Sequence, residues 1–307
     1  MTGPPHAVHL VPALAAWLDP VAALREMWAL PFMVNAFRAG TLAAVLAGTA
    51  GWFMVARRQT FAGHTLSVVG FPGAAGAVLV GAPVWLGYLG ATMLAALALG
   101  RTGGRRGEGD GALIGTVQAF ALACGFWFVA SYSGLLGGTT SLLFGSILGI
   151  TSGQVTFLAV VTVAALAVLA ASGRRLLFVT VDPAVAGARG VGVRRTDVAF
   201  LLLLAVAVAA TVEVTGALLA FALLVLPAAS AQRVTARPAT ALGLSVLMAA
   251  TAVWAALTVA FYTPYPFGFW LTTLAFAGYL LAVALDRWHV LTRWRHAWRP
   301  SARWRHG

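Results

Sequence analysis

The sequence predicts an all-α, polytopic membrane protein, and three observations carry that prediction. Of 307 residues, 61% are hydrophobic and only 9% charged, against roughly 25% charged in soluble domains. Mean hydropathy is +0.90. Runs free of Asp, Glu, Lys and Arg recur at 39–56, 59–100, 111–173, 198–212 with 214–232, and 238–285, and groups of arginine separate them. A bilayer-spanning helix needs about 20 apolar residues, so every run has room for one or more.

The arginines set the expected order of crossings. If positive loops stay inside, each run between two arginine groups must cross an even number of times. That gives one crossing for 39–56 and two for each of the other four runs. The sum is about nine helices, with the N-terminus outside and the C-terminus inside. Of the 20 basic residues, all arginine, only Arg25 and Arg38 then fall outside the inner groups. Parity makes a local demand on 111–173, which has room for three helices but is allowed two. Its Ser/Gly/Thr-rich middle, residues 131–153, is expected to be an outer turn with a short or re-entrant helix. Such backbone survives at membrane depth only when covered by protein or facing water. Residues 198–232 read as two short helices around Glu213, placed at the outer surface.

Three units follow: an interfacial segment 1–35, a transmembrane domain 36–285, and an Arg/Trp-rich inner tail 286–307. The first 35 residues lack the short apolar stretch behind a basic start that marks a cleavable leader. The tail alternates arginines with Trp288, Trp294, Trp298 and Trp304, a composition suited to the headgroup region of an anionic bilayer. The lipid bilayer is thus the first partner expected.

Composition also excludes chemistry. Without lysine there is no phosphate-loop Lys and no Schiff base. Single Cys124 removes disulfides and multi-cysteine zinc sites. The arginines lie between apolar runs, not on one face, so the basic excess does not indicate nucleic acid. No nucleophile or acid–base pair suggests an enzyme. The ionisable and amide groups inside the apolar runs are His64, Glu213, Gln118 and Gln154, and such groups are functional candidates because the membrane makes them costly. A neutral imidazole at His64 is a ligand for zinc, manganese or iron. Pro72 and Pro227 fall inside apolar helices, where each frees the carbonyl four residues earlier. Gly73, Ala77 and Gly81, and likewise Gly145, Gly149 and Gly153, recur every four residues, a spacing that lets helices approach closely in lipid.

Three stretches extend the reading by resemblance. RRQTFAGHTLSVVGFPGAAGAVLVG (57–81), DPAVAGARGVGVRRTD (182–197) and GALLAFALLVLPAASAQRVT (216–235) resemble the second-helix motif, the cytoplasmic coupling segment and the Gly-x-Leu-Leu…Leu-Pro-Ala-Ala stretch of the permease subunits of zinc/manganese/iron ABC importers. TPYPFGFWLTTLAF (263–276) is a weaker echo of the turn before that family's last helix. The resemblance covers about residues 36–285. It implies a homodimeric permease for a divalent metal, zinc first and manganese or iron next. ATP would be hydrolysed by separate cytoplasmic ATPase chains, and an extracytoplasmic metal-binding protein would deliver the ion in a bacterial plasma membrane. No cofactor is expected on this chain. The implied coupling residues are Asp182, Pro183, Ala184, Gly187, Gly190 and Gly192. The implied packing and kink positions are Pro72, Gly73, Gly216 and Pro227. His64 is the implied metal residue. The family has Asp and His four apart in the second helix; here those positions are His64 and Val68. The rival expectations are the same scaffold carrying a non-metal substrate, or a membrane scaffold or sensor that no longer transports.

Overall fold

The computed structural model describes residues 25–102, 111–132, 145 and 147–297. Among these residues every regular element is helical. In chain order they are α1 (Pro31–Ala56), α2 (Thr60–Leu79), α3 (Val84–Thr102), α4 (Gly111–Ser131), a 3-10 turn at Ile147–Gly149, α5 (Ser152–Val181), α6 (Pro183–Ala188), α7 (Val193–Thr215), α8 (Ala217–Val234), α9 (Pro238–Tyr262) and α10 (Phe267–Ala297). Eight of them are long and apolar enough to cross a membrane, and α4 contributes a shorter apolar helix over Gly115–Ser131. Charge parity predicts about nine crossings; among the described residues eight helices meet the length and hydropathy needed, and α4 is the shorter ninth.

Local chemistry explains where the helices start and stop. α1, α6 and α9 each begin with proline in the first turn, where the missing N–H costs nothing and the fixed φ favours the helix. α5 opens on a reciprocal capping box. The Thr151 hydroxyl accepts from Gln154 N–H, and Gln154 Oε1 accepts from the Thr151 N–H. This gives Gln154 a structural role. α7 and α8 meet at the single residue Gly216, whose φ is 83°. With ψ 160° this is a backbone region essentially reserved for glycine, where a side chain would cost about 1–3 kcal/mol, so the glycine permits the turn.

α1 is the axis of the bundle. In its most apolar stretch 72% of residues are buried, against 17% for α10, so α10 lies at the periphery. α9, α8, α7 and α5 pack on α1, while α2 sits between α3 and α4 and also touches α7 and α8. Glycine permits the closest approaches. A Cβ on Gly51 would strike the Leu224 carbonyl of α8, and one on Gly73 would strike Gly87 O and Ala91 Cβ of α3. Gly73 therefore brings α2 and α3 backbone to backbone. Polar side chains bond between helices: Ser245 Oγ donates to Gly48 O at 2.8 Å, and Trp254 Nε1 to Thr41 Oγ1 at 2.9 Å.

Several expectations are corrected. α1 starts at Pro31, so the expected boundary at residue 35 falls inside a helix. α10 runs without a break to Ala297, through the first part of the expected tail. Gly81 lies beyond the end of α2 with φ 72°, so only Gly73 and Ala77 serve the helix contact. Gly145, Gly149 and Gly153 do not share a helix: Gly145 has φ 76°, Gly149 ends the 3-10 turn and Gly153 begins α5. The Gly145 backbone instead presses on Thr215 and Gly216. Ile147 and Ile150 are buried, and Asn35 Nδ2 donates to Ile150 O at 3.3 Å. Ile147 and Ile150 thus anchor this segment on the bundle, while Leu148, Gly149 and residues 151–153 stay exposed. The expectations for 1–24, the loop 103–110, the segment 133–144 and the tail 298–307 lie outside the described residues.

Candidate functional site

α2 carries the first candidate. Gly63 and Ser67 are buried on one side of the helix; a Cβ on Gly63 would run into Met54 Sδ of α1. Gln118 Nε2 of α4 donates to Thr65 Oγ1 at 2.8 Å, which fixes another side. What remains open is the stripe Phe61, His64 and Val68 at helical spacing. Phe61 is exposed, and His64 and Val68 are half-buried. The His64 ring meets the Phe221 ring of α8 edge-on, with centroids 4.8 Å apart and planes at 63°. An imidazole held this way is oriented by packing while its nitrogens stay available. Among the described residues no group of three or more His, Cys, Asp or Glu is placed to hold a metal ion. His64 therefore has no ready partner set within one chain, and Val68 one turn away adds no donor.

α2 and α8 both contain a proline, Pro72 and Pro227. Each residue is buried. Each frees one backbone carbonyl, at Val68 and Leu223. Val68 is thus one turn from His64 on the same stripe, and Leu223 is two residues from Phe221. The imidazole of α2 meets α8 through the Phe221 ring, so both proline-containing helices border it.

The second candidate is the short helix α6. Asp182 is its N-cap: Oδ1 accepts from Ala184 N–H at 3.0 Å and Val185 N–H at 2.9 Å. Pro183 occupies the first turn. This is the helix start that Asp followed by Pro predicts. Gly187 lies in α6, Gly190 makes the following turn with φ 79°, and Gly192 caps α7. Pro183, Ala184, Val185 and Gly187 are exposed, whereas Ala186 is buried. The six predicted coupling residues thus form one continuous segment between α5 and α7, with Pro183, Ala184, Gly187 and Gly190 exposed and Asp182 and Gly192 half-buried.

A third group was missed by sequence reasoning. Arg57 ends α1 with its side chain fully buried. Its Nη2 is ion-paired with Asp197 of α7. Nη1 donates to Thr180 Oγ1 at 2.9 Å and Leu176 O at 3.3 Å, both on α5. The guanidinium also lies 5.1 Å from the centre of the Phe200 ring. In the sequence Arg57 serves as a topology marker and opens the second-helix stretch, and Asp197 closes the coupling motif; nothing there pairs them. The signal available was an acid at the start of one apolar run and a base at the end of another.

Glu213 is half-buried in the last turn of α7. It is the polar member of a cavity of about 130 Å³ between α3, α5 and α7, otherwise lined by groups such as Trp85, Met93 and Phe157. That lining offers no set of donors for an ion. Cys124 is a free, half-buried thiol on α4.

The molecule as a whole is similar to known transport proteins. Its fold matches one in the structure of PsaBC from Streptococcus pneumoniae in complex with Fab, with TM-score 0.77 and 22% identity over 85% of this chain and 94% of the other. It also matches a transporter described as of metal-chelate ABC type, in an inward-facing conformation, with TM-score 0.64 and 18% identity over 81% and 84% of the two chains. At these identities the likeness establishes the fold. The manganese transport system membrane protein MntC of Halalkalibacterium halodurans is 24% identical over 163 residues, 53% of this chain and 56% of that protein. The match thus spans little more than half of that curated relative. The model of the ABC 3 transport family matches residues 29–286, α1 to the end of the apolar part of α10. Eight membrane-length apolar helices among the described residues and a family match over that range lead to one conclusion: the chain is a multi-pass membrane protein belonging to the ABC 3 transport family.

Proposed function

We propose that this chain is the membrane subunit of an ATP-driven importer of divalent metal ions, working as a homodimer in a bacterial plasma membrane. The observation that carries the reading is the family match over residues 29–286 together with an imidazole, His64, on the open stripe of α2. One imidazole is a weak site. A second copy related by a twofold axis would bring a second His64 to the same path, and weak binding suits an ion that must leave again. Zinc is the first ion because imidazole without carboxylate suits it better than the harder manganese. Manganese is the second reading, favoured by the H. halodurans relative named for manganese transport.

Because this chain has no lysine, ATP must be hydrolysed by another chain with its own phosphate loop. The exposed helix α6 is the proposed seat for that ATPase, and a metal-binding protein would dock at the opposite end. Charge supports this orientation. Arg57, Arg101 and Arg194 gather at the α6 end of the bundle, with Arg194 Nη2 donating to Arg101 O at 3.3 Å, and positive residues favour the inside. The ion is tested by competition. Radiolabelled zinc accumulation by the assembled transporter in proteoliposomes should be ATP-dependent, and excess manganese should suppress it less than excess unlabelled zinc. Stronger suppression by manganese would reverse the ranking.

A further inference from the structure

We infer that Arg57 is a positioning residue that transmits the movement of α6 to the His64 stripe. The inference rests on the proposed coupling role of α6 and adds the internal route. α6 is held by its two neighbours, the end of α5 and the start of α7. Arg57 grips both of them. It bonds Leu176 and Thr180 two to six residues before the Asp182 cap, and it pairs with Asp197 five residues after Gly192. The Phe200 ring closes the site beneath the guanidinium. A planar guanidinium with several fixed donors can hold two elements at once, which a lysine ammonium cannot do with the same geometry.

The same residue is joined rigidly to α2. Arg58 N–H donates to Val55 O at 3.0 Å and Gln59 N–H to Met54 O at 2.9 Å. This is the paired closure of a Schellman turn. The turn places Arg58 at φ 57°, a left-handed conformation that a non-glycine residue adopts only when its surroundings impose it. Gln59 is buried and its carbonyl accepts from Gly63 N–H at 3.1 Å, so the turn runs directly into the first turns of α2. His64 follows Arg57 by seven residues. Displacement of α6 therefore moves α5 and α7, and through Arg57 a turn with no slack moves the imidazole. The network lies at the α6 end of the molecule and touches no transported ion, which is why it positions and does not bind.

The test uses the full transporter, with its ATPase chains and metal-binding protein, in lipid nanodiscs. Hydrogen–deuterium exchange is followed in peptides covering 183–188 and 60–66, with and without a non-hydrolysable ATP analogue. Wild type is compared with R57Q/D197N, which removes both charges together, and with Thr180→Val, which removes one acceptor without stranding a charge. Wild type should respond to the analogue at both peptides. In R57Q/D197N the response at 183–188 should persist while that at 60–66 falls at least threefold, and Thr180→Val should show a smaller loss of the same kind. Metal-stimulated ATPase activity, divided by basal activity, should fall in the same order. A merely structural role would lower the melting temperature and leave both ratios unchanged; that result, or a 60–66 response kept in both variants, overturns the inference. No response at 183–188 in wild type would instead remove the coupling role of α6, and this inference with it.

Discussion

At the scale of single residues, the molecule separates groups that hold the fold from groups left available. Gln118, Gln154 and Ser245 are satisfied by Thr65, Thr151 and Gly48. His64 packs only one ring edge-on against Phe221. Substituting Phe221 with Leu should therefore loosen the imidazole and lower uptake severalfold without lowering membrane yield; unchanged uptake would show that ring orientation is irrelevant. Arg57 behaves oppositely. Removing Asp197 alone strands a buried guanidinium, a change that costs about 3–5 kcal/mol in buried pairs. D197A should fall below R57Q/D197N in detergent thermal stability, and equal stability would show that the pair is not energetically linked. His64 was legible in the sequence because an imidazole inside an apolar run is conspicuous. The Arg57–Asp197 pair was not, because its members are 140 positions apart and nothing in either local pattern says which helix ends meet.

At the scale of elements, glycine and proline carry most of the information, and they divide into what spacing can and cannot reveal. Asp182-Pro183 announced a helix start, and the structure has it in hydrogen bonds. Replacing Asp182 with Ala should cost about 1 kcal/mol of local helix stability. A scramble of 182–192 should insert normally yet no longer co-purify the ATPase chains; undiminished co-purification would remove α6 from that contact. Spacing misled for Gly81 and for Gly145, Gly149 and Gly153. A four-residue repeat of small residues looks the same on a helix as across a turn, and their φ values depend on packing that the sequence does not display. At Gly73 the backbones of α2 and α3 meet, so Gly73→Val should abolish folded yield, whereas Gly90→Ala, with open space around it, should leave yield intact.

At the scale of the whole molecule, the apolar runs between arginine groups anticipated an all-helical membrane protein, and the described residues hold eight helices long and apolar enough to cross a membrane plus the shorter apolar stretch of α4. Helix neighbours were beyond that pattern: that α1 forms the axis and α10 the edge depends on tertiary packing. The orientation has a direct check. In a Cys124→Ala background, Val80→Cys, at an exposed turn, should react with a membrane-impermeant maleimide on intact cells. Val185→Cys on α6 should react only in inverted vesicles, and the reverse pattern would invert the topology. The central claim is that this family scaffold moves a divalent metal along a path that includes His64. Its most direct test is radiolabelled zinc and manganese uptake into proteoliposomes holding the complete transporter, for wild type and His64→Ala. The account predicts ATP-dependent uptake by wild type and at least a tenfold loss in His64→Ala with the assembly intact. Wild-type protein that hydrolyses ATP but accumulates neither ion would contradict it.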